Sequence, residues 1–201
     1  MDKKQLHHTF TRIRALRPWY FLVLAVLSAA ICGFALRSNY QHMTVLRDAV
    51  YQADKDNGDV AGALQNLQRY VVSHMNTNLA SGPNPVYPPI QLVHTYDRAV
   101  QQRSQQTADA NARLYNEAQK YCEAQNSVDF SGRNRVPCIQ EYVKNHPITS
   151  VSIPDSLYKF DFISPRWSPD LAGWSMLVSI AGFLLFIIIW GLQRWLKVKT
   201  R

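Results

Sequence analysis

Two long apolar runs dominate the hydrophobic pattern of this chain. Ala172–Leu192 contains no charged residue over 21 positions, and a helix of that length covers the ~30 Å hydrocarbon layer of a bilayer. Trp174 and Trp190 lie near its two ends, where indole rings favour the head-group region. The other run, Trp19–Leu36, has 18 residues, which is near the lower limit for a spanning helix. The pattern therefore predicts transmembrane helices at residues 19–36 and 172–192.

Between these runs, the apolar positions follow a helical period. Large residues recur every three or four positions from Leu36 to Ala53, so we expect the first span to continue as a helix to about Lys55. Asn57-Gly58 can end that helix, because both residues tolerate a left-handed backbone. Asp59 is then placed to cap a second helix.

The segment from Gln91 to about Gln125 predicts one helix of 30 or more residues, because it contains no glycine or proline and repeats its apolar positions every seven residues. At its centre the repeat carries only small or polar side chains. Such a helix is a flexible polar helix, the weakly packed end of a bundle, or a face that needs a partner.

Beyond a short helix expected at Pro137–Asn145, the pattern changes to alternation. Thr149–Ile153 and Leu157–Ile163 alternate between apolar and polar residues, with Pro154-Asp155 between them. This arrangement is typical of a small β-hairpin, here near the second span. The predicted fold class is mainly α: two transmembrane helices flank a helical-bundle-like domain, residues 37–171, that includes the hairpin.

The distribution of charge predicts how these segments are oriented. The net charge of +8 resides in the short tails, residues 1–18 and 193–201, whereas residues 37–171 carry 13 cations and 13 anions. Short basic flanks stay in the cytoplasm, and longer segments translocate largely regardless of charge. We expect a two-pass protein of the plasma membrane with both termini cytoplasmic and residues 37–171 extracytoplasmic. The basic tails suit membrane lipid as a partner better than nucleic acid.

The first span also has features of a cleavable signal peptide. Basic residues precede it, and the small residues Ser28-Ala29-Ala30 resemble a cleavage site. Its apolar core is longer than that of a usual signal, and the small residues come before the apolar run ends. We therefore interpret it as an uncleaved signal anchor.

Two of the three cysteines are expected to form a disulfide. Cys122 and Cys138 both fall in the predicted extracytoplasmic segment, where disulfides persist. Closing the loop between them removes roughly 3 kcal/mol of unfolded-chain entropy. Cys32 lies in the first span and is expected to be a small packing residue. No histidine or cysteine pair at ligand spacing accompanies them, so a metal site is not expected.

The sequence contains no pattern for catalysis. No G-x-S-x-G, Walker, H-E-x-x-H or Rossmann motif occurs. An EF-hand alignment with Gly58 at the sixth position puts Ala53, Lys55 and Leu64 at ligand positions, which argues against a calcium loop. We therefore expect neither an enzyme nor a cofactor.

Three groups of residues are candidates for contacts. The polar stripe of the long helix lacks the apolar side chains to pack on itself, and the proline-rich loop before it is either a binding loop or a connection across the top of a bundle. The candidate partner contacts in these two segments are Arg103, Gln106, Asp109, Arg113, Pro83, Tyr87 and Pro89. A ligand pocket between helices would be lined by Tyr96 and Tyr121. Small residues at a spacing of four allow transmembrane helices to approach closely, and these are Ala25, Ala29, Gly33, Ser175 and Ser179.

Several short phrases resemble a known group of proteins. They are Ala53-Asp54-Lys55 with Asn57-Gly58-Asp59, His74-Met75-Asn76-Thr77, Pro88-Pro89-Ile90-Gln91-Leu92 and Tyr96-Asp97-Arg98. Over residues 40–145 the chain resembles uncharacterised two-span envelope proteins of small-genome candidate-phylum bacteria, which implies no activity. Its layout is also similar to the sensory half of bacterial chemoreceptors and histidine kinases. Only nine residues follow the second span, too few for a HAMP, kinase or coiled-coil output.

These features predict a non-enzymatic envelope protein anchored by two spans. Its extracytoplasmic helical domain would bind a partner protein or another copy of the chain, or scaffold a membrane complex. The alternative is an extracytoplasmic ligand-sensing module that signals through a separate protein. A bare helix face favours the first function, and a pocket between helices favours the second.

Overall fold

The computed structural model describes residues 17–80, 86–125, 134–149 and 152–199. In this part of the chain the fold is mainly helical, with a small two-stranded antiparallel sheet. The helices are α1 (Trp19–Lys55), α2 (Val60–Ser73), α3 (Val93–Gln125), α4 (Arg135–Asn145) and α5 (Leu171–Lys199), and the strands are β1 (Ile90–Gln91) and β2 (Lys159–Phe160). By internal contacts the chain divides into two compact units. The first comprises Met1–Ala53, Asp59–Val86 and Asp161–Arg201, and the second comprises Asp54–Gly58 and Tyr87–Phe160.

The helices begin and end close to the predicted residues. After α1, Asn57 takes a φ of 54°, the left-handed conformation that commonly ends a helix. Asp59 caps α2, since its Oδ1 accepts a hydrogen bond from the Gly62 N–H at 2.8 Å. α3 has 33 residues and is therefore about 50 Å long. These findings confirm the mainly helical prediction, while the bundle arrangement of residues 37–171 stays a prediction.

The predicted β-hairpin is wrong in its pairing. β2 lies within the predicted segment 157–163, but its partner is β1, and Phe160 is opposite Ile90 in the antiparallel register. Residues 155–157 form one turn of 3-10 helix, and the described residues among 149–153 form no strand. Alternation predicts which residues share a face of a strand, but it does not identify the strand that pairs with it. Here the fully buried Ile90 anchors the pairing from a distant part of the chain.

α1 and α5 are both long and apolar enough to cross a membrane. In their most apolar windows only 22% of the α1 residues and 11% of the α5 residues are buried. The core helix of a soluble protein would be mostly buried, so these two helices need another apolar environment. The hydrocarbon of a bilayer is such an environment. α5 also continues past residue 192 through the basic segment to Lys199.

Within the first unit, α1 and α5 pack against each other in opposite directions. The Ser179 hydroxyl donates to the carbonyl oxygen of Ala25 at 3.0 Å, and the Cys32 thiol donates to the carbonyl oxygen of Ala172 at 3.5 Å. The earlier residue of α1 thus meets the later residue of α5. A Cβ atom on Gly182 would lie 3.3 Å from the Ala25 Cβ, so the backbones approach closely there. The amino end of α1 and the carboxyl end of α5 therefore lie at the same end of the pair.

Candidate functional site

The residues predicted to pack within the membrane are only partly at the contact between α1 and α5. Ala25 is 4% exposed and accepts the bond from Ser179. Ser175 is buried, but its hydroxyl donates to carbonyl oxygens within its own helix. Ala29 is exposed, and a Cβ on Gly33 would have no neighbour within 4 Å.

The expectation of a contact stripe through Ala29 and Gly33 is therefore corrected. Along this part of α1 the buried positions are Ala25, Ser28, Ala35 and Asn39, and Cys32, which bonds α5, is half-buried between them. Their spacing alternates between three and four residues. An average near 3.5 keeps one face toward a neighbouring helix, whereas a spacing of four rotates steadily away from it.

A polar cluster joins α1 to the segment that leads into α5. The Asn39 amide donates to Oδ2 of Asp170 at 2.7 Å and to the Met75 carbonyl oxygen at 3.3 Å. The Met75 N–H in turn donates to the Ser168 hydroxyl at 3.0 Å. Asp170 also caps α5, since its Oδ1 accepts a hydrogen bond from the Gly173 N–H at 2.9 Å. We call Asn39, Met75, Ser168 and Asp170 the polar latch.

Hydrogen bonds within the polar latch keep the Asp170 side chain in its charged carboxylate form. Burial raises the pKa of Asp170, but hydrogen bonds led by those from Gly173 and Asn39 outweigh burial, so this pKa lies below its ordinary value. The nearby Tyr70 responds in the opposite direction. Its pKa is raised, first by burial and then by the negative charge of Asp170.

Sequence reasoning missed the polar latch, although local signals for it were present. Asp170 precedes an apolar helix and is followed three residues later by Gly173, which is a typical helix-start pattern. Asn39 is a polar residue on the otherwise apolar face of α1. Neither signal indicates that the two side chains meet.

A second carboxylate, that of Asp54, holds the start of α3 in the second unit. Its oxygens accept hydrogen bonds from the backbone N–H groups of His94 at 3.0 Å and Thr95 at 2.8 Å. The Thr95 hydroxyl at 2.6 Å and the Arg98 guanidinium at 3.2 Å complete the set. The Asp54 side chain is only 3% exposed. It therefore supplies from a distance the negative charge and acceptors that a helix start requires.

The middle of α3 is exposed over most of its surface. From Ser104 to Glu117 every side chain is exposed except Ala110 and Leu114, which are half-buried. These positions cover almost four turns, so the exposure is not confined to one face. We call Ser104–Glu117 the α3 waist.

The predicted partner contacts on α3 lie in or beside the waist. Asp109 and Arg113 are exposed. Arg103 and Gln106 line a crevice of about 270 Å³ together with Leu157 and neighbouring residues. The stripe is thus divided: its first half borders the segment before β2, and its second half is exposed.

The predicted loop contacts are only partly described. Tyr87 is 77% exposed and Pro89 is half-buried. Pro83 lies outside the described residues. The structure thus places two of the three loop positions, one of which presents a large exposed aromatic ring, and their contact with a partner stays a prediction.

Tyr96 and Tyr121 do not line one pocket. The Tyr96 ring contacts Tyr158 beside the sheet, with centroids 4.7 Å apart. The Tyr121 ring contacts Tyr142 of α4, with centroids 5.1 Å apart. The two predicted residues are 25 positions apart on one straight helix, a separation of roughly 37 Å. The expected shared pocket is thus replaced by two separate aromatic contacts.

One of these contacts borders a crevice between α3 and α4. Its volume is about 560 Å³, which is within the usual range for small-molecule sites. The predicted disulfide between Cys122 and Cys138 is present at its base, with the two Cα atoms 6.0 Å apart. We call this space the α3–α4 crevice. Its lining includes Tyr121, Gln125, Glu141, Tyr142, Asn145 and His146.

Comparison with known proteins adds no assignment to this geometry. No family model, curated protein or solved structure matches the chain. In the part of the chain that the structure describes, no three His, Cys, Asp or Glu side chains lie together as a metal site would require. The α3 waist and the α3–α4 crevice in the second unit are the candidate binding regions, and the polar latch is a structural feature of the first.

Proposed function

We propose that this chain is a non-enzymatic, two-pass membrane protein whose extracytoplasmic helical domain binds a partner protein and so organises a membrane complex. The α3 waist is the observation that carries this proposal. It is a stretch of 14 residues, of which 12 are exposed, inside a helix of 33 residues.

The waist gains little stability from its own neighbourhood. Most helical stability in proteins comes from tertiary packing, and isolated helices of about 12–15 residues are marginal in water. A partner helix along the waist would shield its backbone and could pair with Asp109 and Arg113. The small side chains of Ala108 and Ala112, one turn apart, leave room for close approach.

Two observations support the proposed membrane orientation. Both terminal tails are basic, and basic tails stay in the cytoplasm. The antiparallel packing of α1 on α5 brings the amino end of α1 and the carboxyl end of α5 to the same end of the helix pair. A third observation favours an uncleaved first span, because cleavage near Ser28–Ala30 would remove Ala25 from its contact with α5.

Site-specific photo-crosslinking in cells tests the partner-binding surface. A photoreactive residue at Gln106 or Asp109 should give a discrete crosslinked adduct, because the waist is expected to be covered by the partner. Gln65, an exposed position on α2, is the matched control and should give none. Absence of an adduct at both waist positions, or equal adducts at Gln65, would contradict the proposal.

The mass of the adduct distinguishes the two kinds of partner. An adduct at twice the mass of the chain, with a differently tagged copy recovered in it, identifies a homo-oligomer. Any other mass identifies a separate partner protein. Both results are compatible with a scaffold, and they decide which complex it organises.

The α3–α4 crevice favours ligand sensing as a second candidate function. The two functions can be separated, because the crevice and the waist use different residues. Glu141→Gln should alter a ligand response and leave the adduct at Asp109 unchanged. A loss of that adduct would show that the two regions are not independent.

A further inference from the structure

We propose that the α3–α4 crevice binds a small organic ammonium ion of the kind that choline carries. This inference deepens the second candidate function, ligand sensing, by assigning a chemical class to the ligand. It does not depend on partner binding at the α3 waist. Aromatic rings, one carboxylate and two helix ends converge on the crevice, and together they favour a cation over a neutral or anionic ligand.

The aromatic surface is a continuous row of three rings. The Tyr142 ring lies between that of Tyr121, with centroids 5.1 Å apart, and that of His146, with centroids 4.2 Å apart. Tyr121 and His146 are both exposed on their outer sides. The face of an aromatic ring carries partial negative charge and attracts ammonium groups. The row therefore offers a surface to the apolar, weakly hydrated head of an alkylammonium ion.

Among the described side chains that line the crevice, Glu141 is the one carboxylate. Gln125 and Asn145 add amide groups, and the amide of Gln125 donates to the Tyr121 hydroxyl at 2.9 Å. A carboxylate beside aromatic faces attracts a cation and repels an anion. The lining thus selects ligands by charge.

The carboxyl ends of two helices also border this space. Gln125 is the last residue of α3, and Asn145 is the last residue of α4. A helix end of this kind carries roughly half a negative charge. The last turn of α3 contains no basic residue to compensate it. The one basic residue in the last turn of α4, Lys144, does not line the crevice.

Free choline and its neutral isostere, 3,3-dimethylbutan-1-ol, test the proposal directly. Each is titrated into the full-length protein in maltoside micelles, which contain no choline or amine lipid, and binding is followed by saturation-transfer NMR and calorimetry. Choline should bind at least about tenfold more tightly than the isostere, because cation–π attraction and the carboxylate act only on the charged form. Equal binding of the two, or no binding of choline at millimolar concentration, would overturn the proposal.

Matched variants locate the site. Glu141→Gln should weaken choline binding about fivefold or more, whereas Asp97→Asn, which changes an exposed carboxylate on α3 outside the crevice and the waist, should leave it unchanged. Tyr121→Leu should likewise weaken binding, with Tyr96→Leu as its control on the same helix. Circular dichroism verifies that each variant keeps its helices. If Glu141→Gln and Tyr121→Leu bind choline as well as their controls do, the crevice is not the site.

The ammonium group has two sources in an envelope, a free amine and a lipid head group. Glycerophosphocholine, which is a head group without acyl chains, is the second probe. Tighter binding of glycerophosphocholine than of choline identifies a lipid head group as the ligand, and the reverse identifies a free amine. Both results support an ammonium site. A failure of both probes, with the Asp109 adduct retained, would reject the ammonium site and leave partner binding intact.

Discussion

Two carboxylates, those of Asp54 and Asp170, each accept several of the described hydrogen bonds. Each carboxylate accepts backbone N–H bonds at the start of a helix, Asp54 for α3 and Asp170 for α5. Each also connects that start to another part of the chain. A carboxylate in this position satisfies donors that a helix leaves unpaired and complements the helix dipole. A single substitution at either residue therefore removes several contacts at once.

Replacing Asp54 by alanine should lower the free energy of unfolding by about 2–4 kcal/mol, since the first N–H groups of α3 would lose their acceptor and the Arg98 guanidinium would lose its carboxylate partner. Denaturant unfolding of the purified protein, followed by circular dichroism, measures the change. Asp48 is the control. Its side chain is 72% exposed and lies 3.8 Å from Arg47, so Asp48→Ala should cost about 0.5 kcal/mol or less. Equal losses from the two variants would contradict the role of Asp54.

Asp170 predicts a dependence of stability on pH. Its pKa is lower in the folded protein than the ordinary value of 3.8, so its contribution is fully present above that value and is lost as the pH falls through the lowered pKa. The thermal midpoint of the wild type should therefore drop more steeply below about pH 4 than that of Asp170→Asn. Asp161→Asn, at an exposed position, should keep the wild-type slope. An unchanged slope in Asp170→Asn would contradict the assignment.

Local sequence signals predicted some of these residues and not others. Asp59 and Asn57 act on their immediate neighbours, and their positions beside a helix end were sufficient to predict their roles. Asp54 instead bonds a backbone group 40 residues away, and Asp170 bonds Asn39 across 131 residues. Capping patterns describe one helix end at a time, so they give no distant partner.

At the scale of elements, helices were predictable and strand pairing was not. A helix is specified by its own period and by the residues at its ends, which is why the bounds of α1, α2 and α3 follow the sequence closely. The two-residue strands β1 and β2 are too short to carry a pattern of their own. Their pairing depends on the buried Ile90 and on the position of α3, which an alternating segment cannot encode.

The contact between α1 and α5 gives a prediction at this scale. Gly182→Val should reduce the thermal stability of the full-length protein by an amount equivalent to about 1–3 kcal/mol, since the added side chain would overlap Ala25 and separate the helices. Gly191 is in the same helix, and a Cβ there would have no neighbour within 4 Å. Gly191→Val should therefore have little effect. An equally large loss of thermal stability in Gly191→Val would show that valine destabilises this helix at either position. Close packing at Gly182 would then not be the cause.

At the scale of the whole molecule, the sequence predicted the candidate regions unevenly. The exposure of the α3 waist was predictable, because the small and polar side chains of its repeat cannot form a large apolar contact in any fold. The α3–α4 crevice was only half predictable: Tyr121 belongs to it, but Glu141 lies on α4 and His146 directly follows that helix, whose direction across α3 is fixed by the disulfide and by packing. Tyr96 and Tyr121 fall on the same helical repeat of α3, and this repeat led to the prediction of one shared pocket. Their separation along the helix axis places only Tyr121 at the crevice.

The proposed orientation can be tested with single cysteines in a Cys32→Ser background. Gln65→Cys should react with a membrane-impermeant maleimide in spheroplasts, because residues 37–171 are proposed to be extracytoplasmic. Lys197→Cys should react only after lysis, since it lies in the basic tail. Both positions are exposed in the structure, so access to the reagent depends on the side of the membrane. The reverse labelling pattern would overturn the orientation.

The Cys122–Cys138 bridge has a consequence for biogenesis. Thiols stay reduced in the cytosol and oxidise after export, so under the proposed orientation α4 would be fastened to α3 only after residues 37–171 had been translocated. Newly made copies would hold an incomplete crevice and could not sequester abundant cytosolic amines. The α3–α4 crevice would thus be completed only after export, when the disulfide between Cys122 and Cys138 forms.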